Sequence, residues 1–306
     1  MLIITADLFS GRPNPQWLIE EEPELTAMLR LLSSERGVVF PDVPIEAGLG
    51  FRGFKIELLD DHLAYQFALE SSFYIPLEHL SRHWRSNEFA ERLIALLGRG
   101  KRYDAKEFET LGDDEALHQY LMEQLRLSLA GSFQDHFTER PREPHLERLG
   151  QVCWIELWPF NPGFWNNNAN TLGNNNCYNY ASNWRTNTFA QPGRGSGHIY
   201  SAITCPEVSS GALSDGMHHR YDCFPDNEKP RFLVAMVVSP GPGFVDYHWY
   251  RKHKEGFWGH KPGSTQARNV DNSGNVIFDP QTCNRGPYTQ FCGYFYGCNS
   301  QRHRIR

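Results

Sequence analysis

The 306-residue chain has no cysteine before position 153, no Asn-x-Ser/Thr sequence among its many asparagines, no excess of basic side chains and no apolar run close to bilayer-spanning length. Each absence excludes something. A cysteine-free first half cannot be held together by disulfides. The net charge of −6 argues against a general nucleic-acid binder, which needs a basic face for phosphates. The best apolar run, Phe232 to Val238, suits a buried strand and is far short of the roughly 18 residues a spanning helix requires, so no membrane insertion is expected. The opening Met1–Asp7 carries no basic residue, which predicts a cytoplasmic protein or one exported without a cleavable signal. No repeat of 20–50 residues is visible. Two glycine-rich segments, at Gly98–Lys101 and Gly193–Gly197, lack the spacing and context of a phosphate loop. No cofactor is expected.

What is present is enough apolar side chain, 40% of the total with 13% aromatic, to bury a core. It is unevenly distributed. Residues 1–150 hold 26 acidic and 16 basic side chains, a net of −10, and residues 151–306 hold 10 and 14, a net of +4. This change of sign predicts two units. We expect an acidic mixed α/β accessory domain over 1–135, joined through the Pro-containing stretch 131–148 to a strand- and loop-rich domain over 150–306. The fold class is α+β. In the first half, Leu2–Phe9 and Phe51–Leu59 read as strands and Glu20–Leu32, Ser86–Leu97 and Asp113–Leu129 as helices. Ser10–Pro15 between them is a fixed turn, its two prolines unable to donate to a sheet, with Arg12 placed to pin it. It marks an accessory domain that shields the second half or positions a protein partner. His62, His79, His83 and His118 are scattered and read as surface or packing residues.

The second half carries the chemistry. Cys177 follows a run of three asparagines and opens a short aromatic segment, Cys177–Trp184. A thiol at a helix start meets free N–H groups and the positive end of the helix dipole, which favour thiolate. Those amides, with side-chain amides from Asn174 or Asn176, are candidates for an oxyanion hole. His248 lies in a strand-like run after the turn Ser239–Gly243, and His260 comes twelve residues later. Two short strands joined by Arg251–Glu255 would set the two imidazoles side by side, one as base for the thiol and the other fixing its tautomer. Asn269 and Asp271 are alternative orienting residues. Tyr178, Trp249 and Trp258, which flank the three, are the expected substrate contacts.

This order, a cysteine at a helix start, then a strand histidine, then a polar residue about a dozen positions on, resembles the papain-like cysteine hydrolase superfamily and its NlpC-like branch. The resemblance covers roughly residues 151–306. The Asp-Cys-Ser-Gly setting usual in that branch is replaced here by Asn-Asn-Asn-Cys-Tyr-Asn-Tyr-Ala. It implies a papain-like α+β domain with Cys177 as nucleophile, His248 as general base and His260 as orienter, acting on a peptide or amide-containing substrate by hydrolysis or acyl transfer.

Two other classes compete. Six cysteines besides Cys177 suffice for three bridges, and Trp154, Trp158, Phe160, Phe164 and Trp165 among asparagines and glycines suit a non-enzymatic binding or toxin-like module. Val152–Trp158 alternates like a strand, which would bury most of these rings. His218, His219, Cys205 and Cys223, or His248, His253 and His260, are the candidate ligands of a metal-binding protein.

Overall fold

The computed structural model describes residues 1–20, 23–41, 48–80, 86–103, 111, 113–129, 153–220 and 226–306. The expected joint at 131–148, Cys223, His83 and the side chain of His79 lie outside these. The chain forms two compact units, one of Met1–Leu8 with Asn14–Asp135 and the other of Phe9–Pro13 with His136–Arg306. The turn Phe9–Pro13 therefore belongs to the second unit although its flanks belong to the first. Among the described residues, no helix is long and apolar enough to cross a membrane.

The first unit contains a wholly antiparallel sheet of β1 (Leu2–Asp7), β2 (Gln16–Ile19), β3 (Gly53–Leu58), β4 (Ser72–Pro76) and β5 (Lys101–Arg102), in the order β4-β3-β1-β2-β5. β1 pairs on both sides, with β2 and β3, which is why its residues are almost all buried. Helix α1 (Pro23–Ser34) turns Leu25, Met28, Leu29 and Leu32 inward, the i, i+3, i+4, i+7 stripe of an amphipathic helix. It is followed by α2 (Asp61–Phe67), α3 (Leu77–Leu80), α4 (Ser86–Arg99) and α5 (Asp114–Leu129). α1 packs on α4 and α4 on α5. At the end of β1, Asp7 is gripped by both nitrogens of the Arg52 fork and by the Tyr74 hydroxyl, a buried pair satisfied at every oxygen.

The second unit is also antiparallel. Its sheet runs β6-β10-β7-β8-β9, from β6 (His218–His219), β7 (Phe232–Pro240), β8 (Val245–Lys252), β9 (Trp258–His260) and β10 (Gln290–Gly297). β7 is the apolar run singled out in the sequence and occupies the centre, between β10 and β8. Four helices accompany it among the described residues: α6 (Gly163–Asn166), α7 (Ala169–Asn174), α8 (Cys177–Ser182) and α9 (Cys205–Ser214). A disulfide from Cys205 to Cys292 ties the start of α9 to β10, and Cys153 is also disulfide-bonded.

Two expectations fail here. Residues 153–160 form no regular strand. They run beside Arg231, whose carbonyl accepts from the Glu156 amide at 3.0 Å and whose guanidinium donates to the Trp154 carbonyl at 3.0 Å. Trp154 is left 77% exposed and Trp158 46%, whereas Trp165 is core. The three-bridge arrangement also fails, because Cys177, Cys283 and Cys298 are free thiols.

Candidate functional site

The asparagine run builds the start of α8. Asn176 is its N-cap, accepting from the amides of Tyr178 and Asn179 at 3.1 and 3.2 Å, while the Asn179 side chain accepts from the Asn176 amide. This reciprocal cap satisfies the orphan donors of a helix only six residues long. Asn175 braces the other side, accepting from Thr186 and Asn187. Its carbonyl, with those of Leu172 and Gly263, receives the fully buried ammonium of Lys261. Cys177 is thus held at the first helical position by side chains from several loops.

α8 packs on β8. Side chains alternate along a strand, so Tyr247, Trp249 and Arg251 share one face and Asp246, His248 and Tyr250 the other. The first face meets the helix: the Tyr178 and Trp249 rings lie 5.7 Å apart, and Arg251 donates to the Tyr180 carbonyl at 2.7 Å. The Cys177 sulfur accepts a hydrogen bond from the backbone of Trp249, and its charge would be felt by Tyr247 on one face and Tyr250 on the other. It thus lies against the backbone of the residue that follows His248.

His248 and His260 meet across the β8–β9 hairpin. Tyr250 is the register partner of His260, and the two-residue offset brings His248 Nε2 within 2.8 Å of His260 Nδ1. His260 Nε2 lies 2.9 Å from the Val270 carbonyl. A carbonyl only accepts, so His260 carries its proton on Nε2. Burial, with Arg268 nearby, pushes the pKa of His260 down to about 3, so it is neutral and its Nδ1 is an acceptor. His248 must then donate from Nε2. This assignment follows from the hydrogen-bond network. Tyr250 stacks on His260 at 5.2 Å and meets His248 edge-on at 4.8 Å, locking both rings.

Electrostatics correct the thiolate expectation. Cys177, His248 and His260 are all fully buried. Burial pushes the Cys177 thiol well up, and the negative charge of Asp246 adds to this, outweighing the Trp249 backbone and Lys261. The start of a six-residue helix cannot offset full desolvation. The resting Cys177 is a neutral thiol.

Other expected residues have different work. Asn174 is exposed and donates to Asn170. Both amide hydrogens of Asn176 are spent, on the carbonyls of Gly11 at 2.8 Å and Ala190 at 2.7 Å. Neither is placed as a spare oxyanion donor. Asn269 offers its backbone carbonyl to the Ile277 amide, and the Asp271 carboxylate accepts from the amides of Ser273, Asn275 and Asn284, whereas His260 bonds His248 directly. Tyr178, Trp249 and Trp258 are core side chains; the Tyr178 hydroxyl donates to Asp215 at 2.9 Å. For metal binding, Cys205 is consumed by its disulfide, and His253 bonds Tyr180 at 2.6 Å and Trp158 at 3.2 Å. Among the described residues no group of three or more His, Cys, Asp or Glu side chains could hold a metal ion.

The sequence reading missed the surroundings of Cys177. Asp246 is fully buried and accepts from the amides of Ser10, Gly11 and Arg12 and from the Tyr288 hydroxyl. The Gly11 carbonyl accepts from Asn176, from Gln191 at 2.9 Å and from Tyr247 at 3.1 Å. The density of turn residues in Ser10–Pro15 was a signal of a fixed loop, and Arg12 does pin it, by a bond to the Val245 carbonyl at 2.6 Å. Nothing in local sequence links it to residues some 235 positions away.

No family model matches the chain, and no solved structure matches it. Among curated proteins, insoluble matrix shell protein 1 of Ruditapes philippinarum is 48% identical over 147 residues, which span 48% of this chain and 93% of that protein. At that identity, and with nearly the whole relative covered, the chain belongs to the family of insoluble matrix shell protein 1.

Proposed function

We propose that the second unit is a cysteine-nucleophile hydrolase or acyltransferase with a papain-like plan, acting on an amide or related acyl bond. The observation that carries this reading is the chain from His248 Nε2 to His260 Nδ1 and from His260 Nε2 to the Val270 carbonyl. A base–orienter pair of this kind is what thiol chemistry needs, and Cys177, at a capped helix start packed on the same strand, is its candidate nucleophile. In the reaction, the basic Nδ1 of His248 takes the Cys177 proton as the sulfur attacks the acyl carbon. The resulting imidazolium returns that proton to the leaving amine, and water or an amine then releases the acyl group from sulfur.

Since Cys177 is sealed, its reactivity is the fraction of time the site is open multiplied by the intrinsic rate of the thiol. The test is alkylation of the full chain by iodoacetamide, or acylation by an activated ester, mapped to Cys177 by mass spectrometry. His248→Ala should slow the reaction at Cys177 by about 10²-fold or more, the range of general-base catalysis, with Cys283 and Cys298 unaffected. An unchanged rate at Cys177 overturns the reading.

A second reading is a matrix component without catalysis. The complete burial of Cys177 favours it, as does the relative's name as an insoluble shell matrix protein. A disulfide-bearing unit suits export to an oxidising compartment under either reading.

A further inference from the structure

The turn Phe9–Pro13 comes from a hairpin connection of the other unit, yet it is among the most buried parts of the second. Ser10 is fully buried and Arg12 is 2% exposed. Its three successive amides converge on the Asp246 carboxylate, at 2.6 Å from Ser10, 3.2 Å from Gly11 and 2.9 Å from Arg12. The Gly11 carbonyl is received by three side-chain donors, those of Asn176, Gln191 and Tyr247. Gln191 is itself fixed by its oxygen, which accepts from Tyr200 at 2.6 Å. A turn needs one partner per polar group, and this one has a carbonyl over-supplied with donors and three amides served by a single buried carboxylate.

The receiving groups are those around the thiol. Asn176 precedes Cys177 and caps its helix. Tyr247 and Asp246 precede His248 on β8. A peptide carbonyl held by side-chain amides and a hydroxyl, one of those amides from the residue that precedes Cys177, has the surroundings of a substrate carbonyl in an acyl-binding pocket. The fit is selective. A Cβ on residue 11 would come within 2.4 Å of the Tyr247 ring and 2.5 Å of its carbonyl oxygen, so this position admits glycine only. The flanks are held as well, Arg12 by the Val245 carbonyl and Phe9 against Phe244 at 5.6 Å.

We propose that Phe9–Pro13 is an intramolecular ligand occupying a peptide-binding site beside Cys177, a site that takes a peptide with glycine at the bound carbonyl and that this strap keeps closed. The proposal deepens the hydrolase reading by naming its substrate class and its regulation, but its test does not depend on catalysis. Displacing the strap is read as freer opening of the site, and His248→Ala as a loss of base at the thiol, so the two readings fail on different variants.

The experiment measures iodoacetamide alkylation of Cys177 in the full chain, with the free thiols Cys283 and Cys298 as internal reporters of general loosening. Gly11→Ala, which cannot seat beside Tyr247, and the milder Arg12→Ala should each raise the Cys177 rate at least about 10-fold while the two reporters stay within about twofold. Added acetyl-Phe-Ser-Gly-Arg-Pro-amide at millimolar concentration should restore protection of Cys177 in Gly11→Ala, and the same peptide with alanine for glycine should not. Unchanged Cys177 rates in both variants overturn the proposal. So does a parallel rise at all three thiols, which would make the strap a general structural prop, and so does failure of the glycine peptide to protect.

Discussion

His248 and His260 share a proton across 2.8 Å, although Tyr250, not His248, is the register partner of His260 in the hairpin. The two-residue offset turns one ring edge-on to the other, at 82° between planes. It gives each nitrogen along the path a defined role, from the Val270 carbonyl to Nε2 of His248.

Removing the orienting ring should cost both stability and reactivity. His260→Ala leaves the Val270 carbonyl and His248 Nε2 without this partner in a fully buried setting and opens a cavity. Loss of about 2–4 kcal/mol is expected from those penalties, read as a lower urea midpoint. Alkylation of Cys177, corrected for opening with the Cys283 rate, should fall together with it. A variant as stable as the parent would contradict the relay.

Acid should unfold the second unit through its buried imidazoles. An unfolded histidine titrates near 6.5, whereas burial, with Arg251 nearby, pushes His253 down to about 4. The unfolded state therefore binds protons that the fold refuses. Stability is fully present above about pH 6.5 and is lost as pH falls from there toward 4. His260 acts in the same direction, down to about 3. Asp246 and Asp215, raised by burial, act oppositely, because the fold protonates them before the unfolded chain does. Comparing the parent with His253→Gln isolates one group. Between pH 7 and 5 the parent should lose about 1–2 kcal/mol more than the variant, and equal losses would contradict the assignment.

The Lys261 ammonium donates to three backbone carbonyls around α7 and the strand end. Lys261→Met keeps the alkyl packing and strands those acceptors. We expect about 2–5 kcal/mol of destabilisation, measured by thermal or urea unfolding, with the Cys177 region opening first in hydrogen exchange. A neutral substitution would show that the carbonyls find water at no cost.

The Cys205–Cys292 disulfide closes a loop of 87 residues. Loop-closure entropy gives it roughly 2–5 kcal/mol. Cys205→Ser with Cys292→Ser should lower the melting temperature by several degrees, and the parent should lose stability in reductant while the double variant does not respond to breaking this bridge.

Much of this was legible in the sequence, where local pattern decides. The helix Asp114–Leu129 and the central strand Phe232–Pro240 follow directly from apolar spacing, and two histidines twelve apart on a short hairpin had to come near each other. The ionisation of Cys177 was not legible. A helix start favours thiolate only where water or a cation assists, and the burial of Cys177 comes from packing that no local window contains. The asparagines around it read as oxyanion donors by chemistry but are consumed as caps and braces, because a six-residue helix among loops needs every donor satisfied. The strap was recognisable as a rigid turn through Pro13 and Pro15, but its partners Asp246, Asn176 and Gln191 lie 165 to 236 positions away. Trp154 and Trp158 alternate as strand residues would, yet among the described residues no strand pairs with them.

The central claim is a proton arrangement, and it can be seen directly. Long-range 1H–15N correlation spectra of the imidazoles at pH 7, assigned through His248→Gln and His260→Gln, report which ring nitrogen carries the proton. The account predicts that both rings are neutral and protonated on Nε2, with His248 Nδ1 as the base for the Cys177 thiol. A proton on His248 Nδ1, or a charged His260, would contradict it.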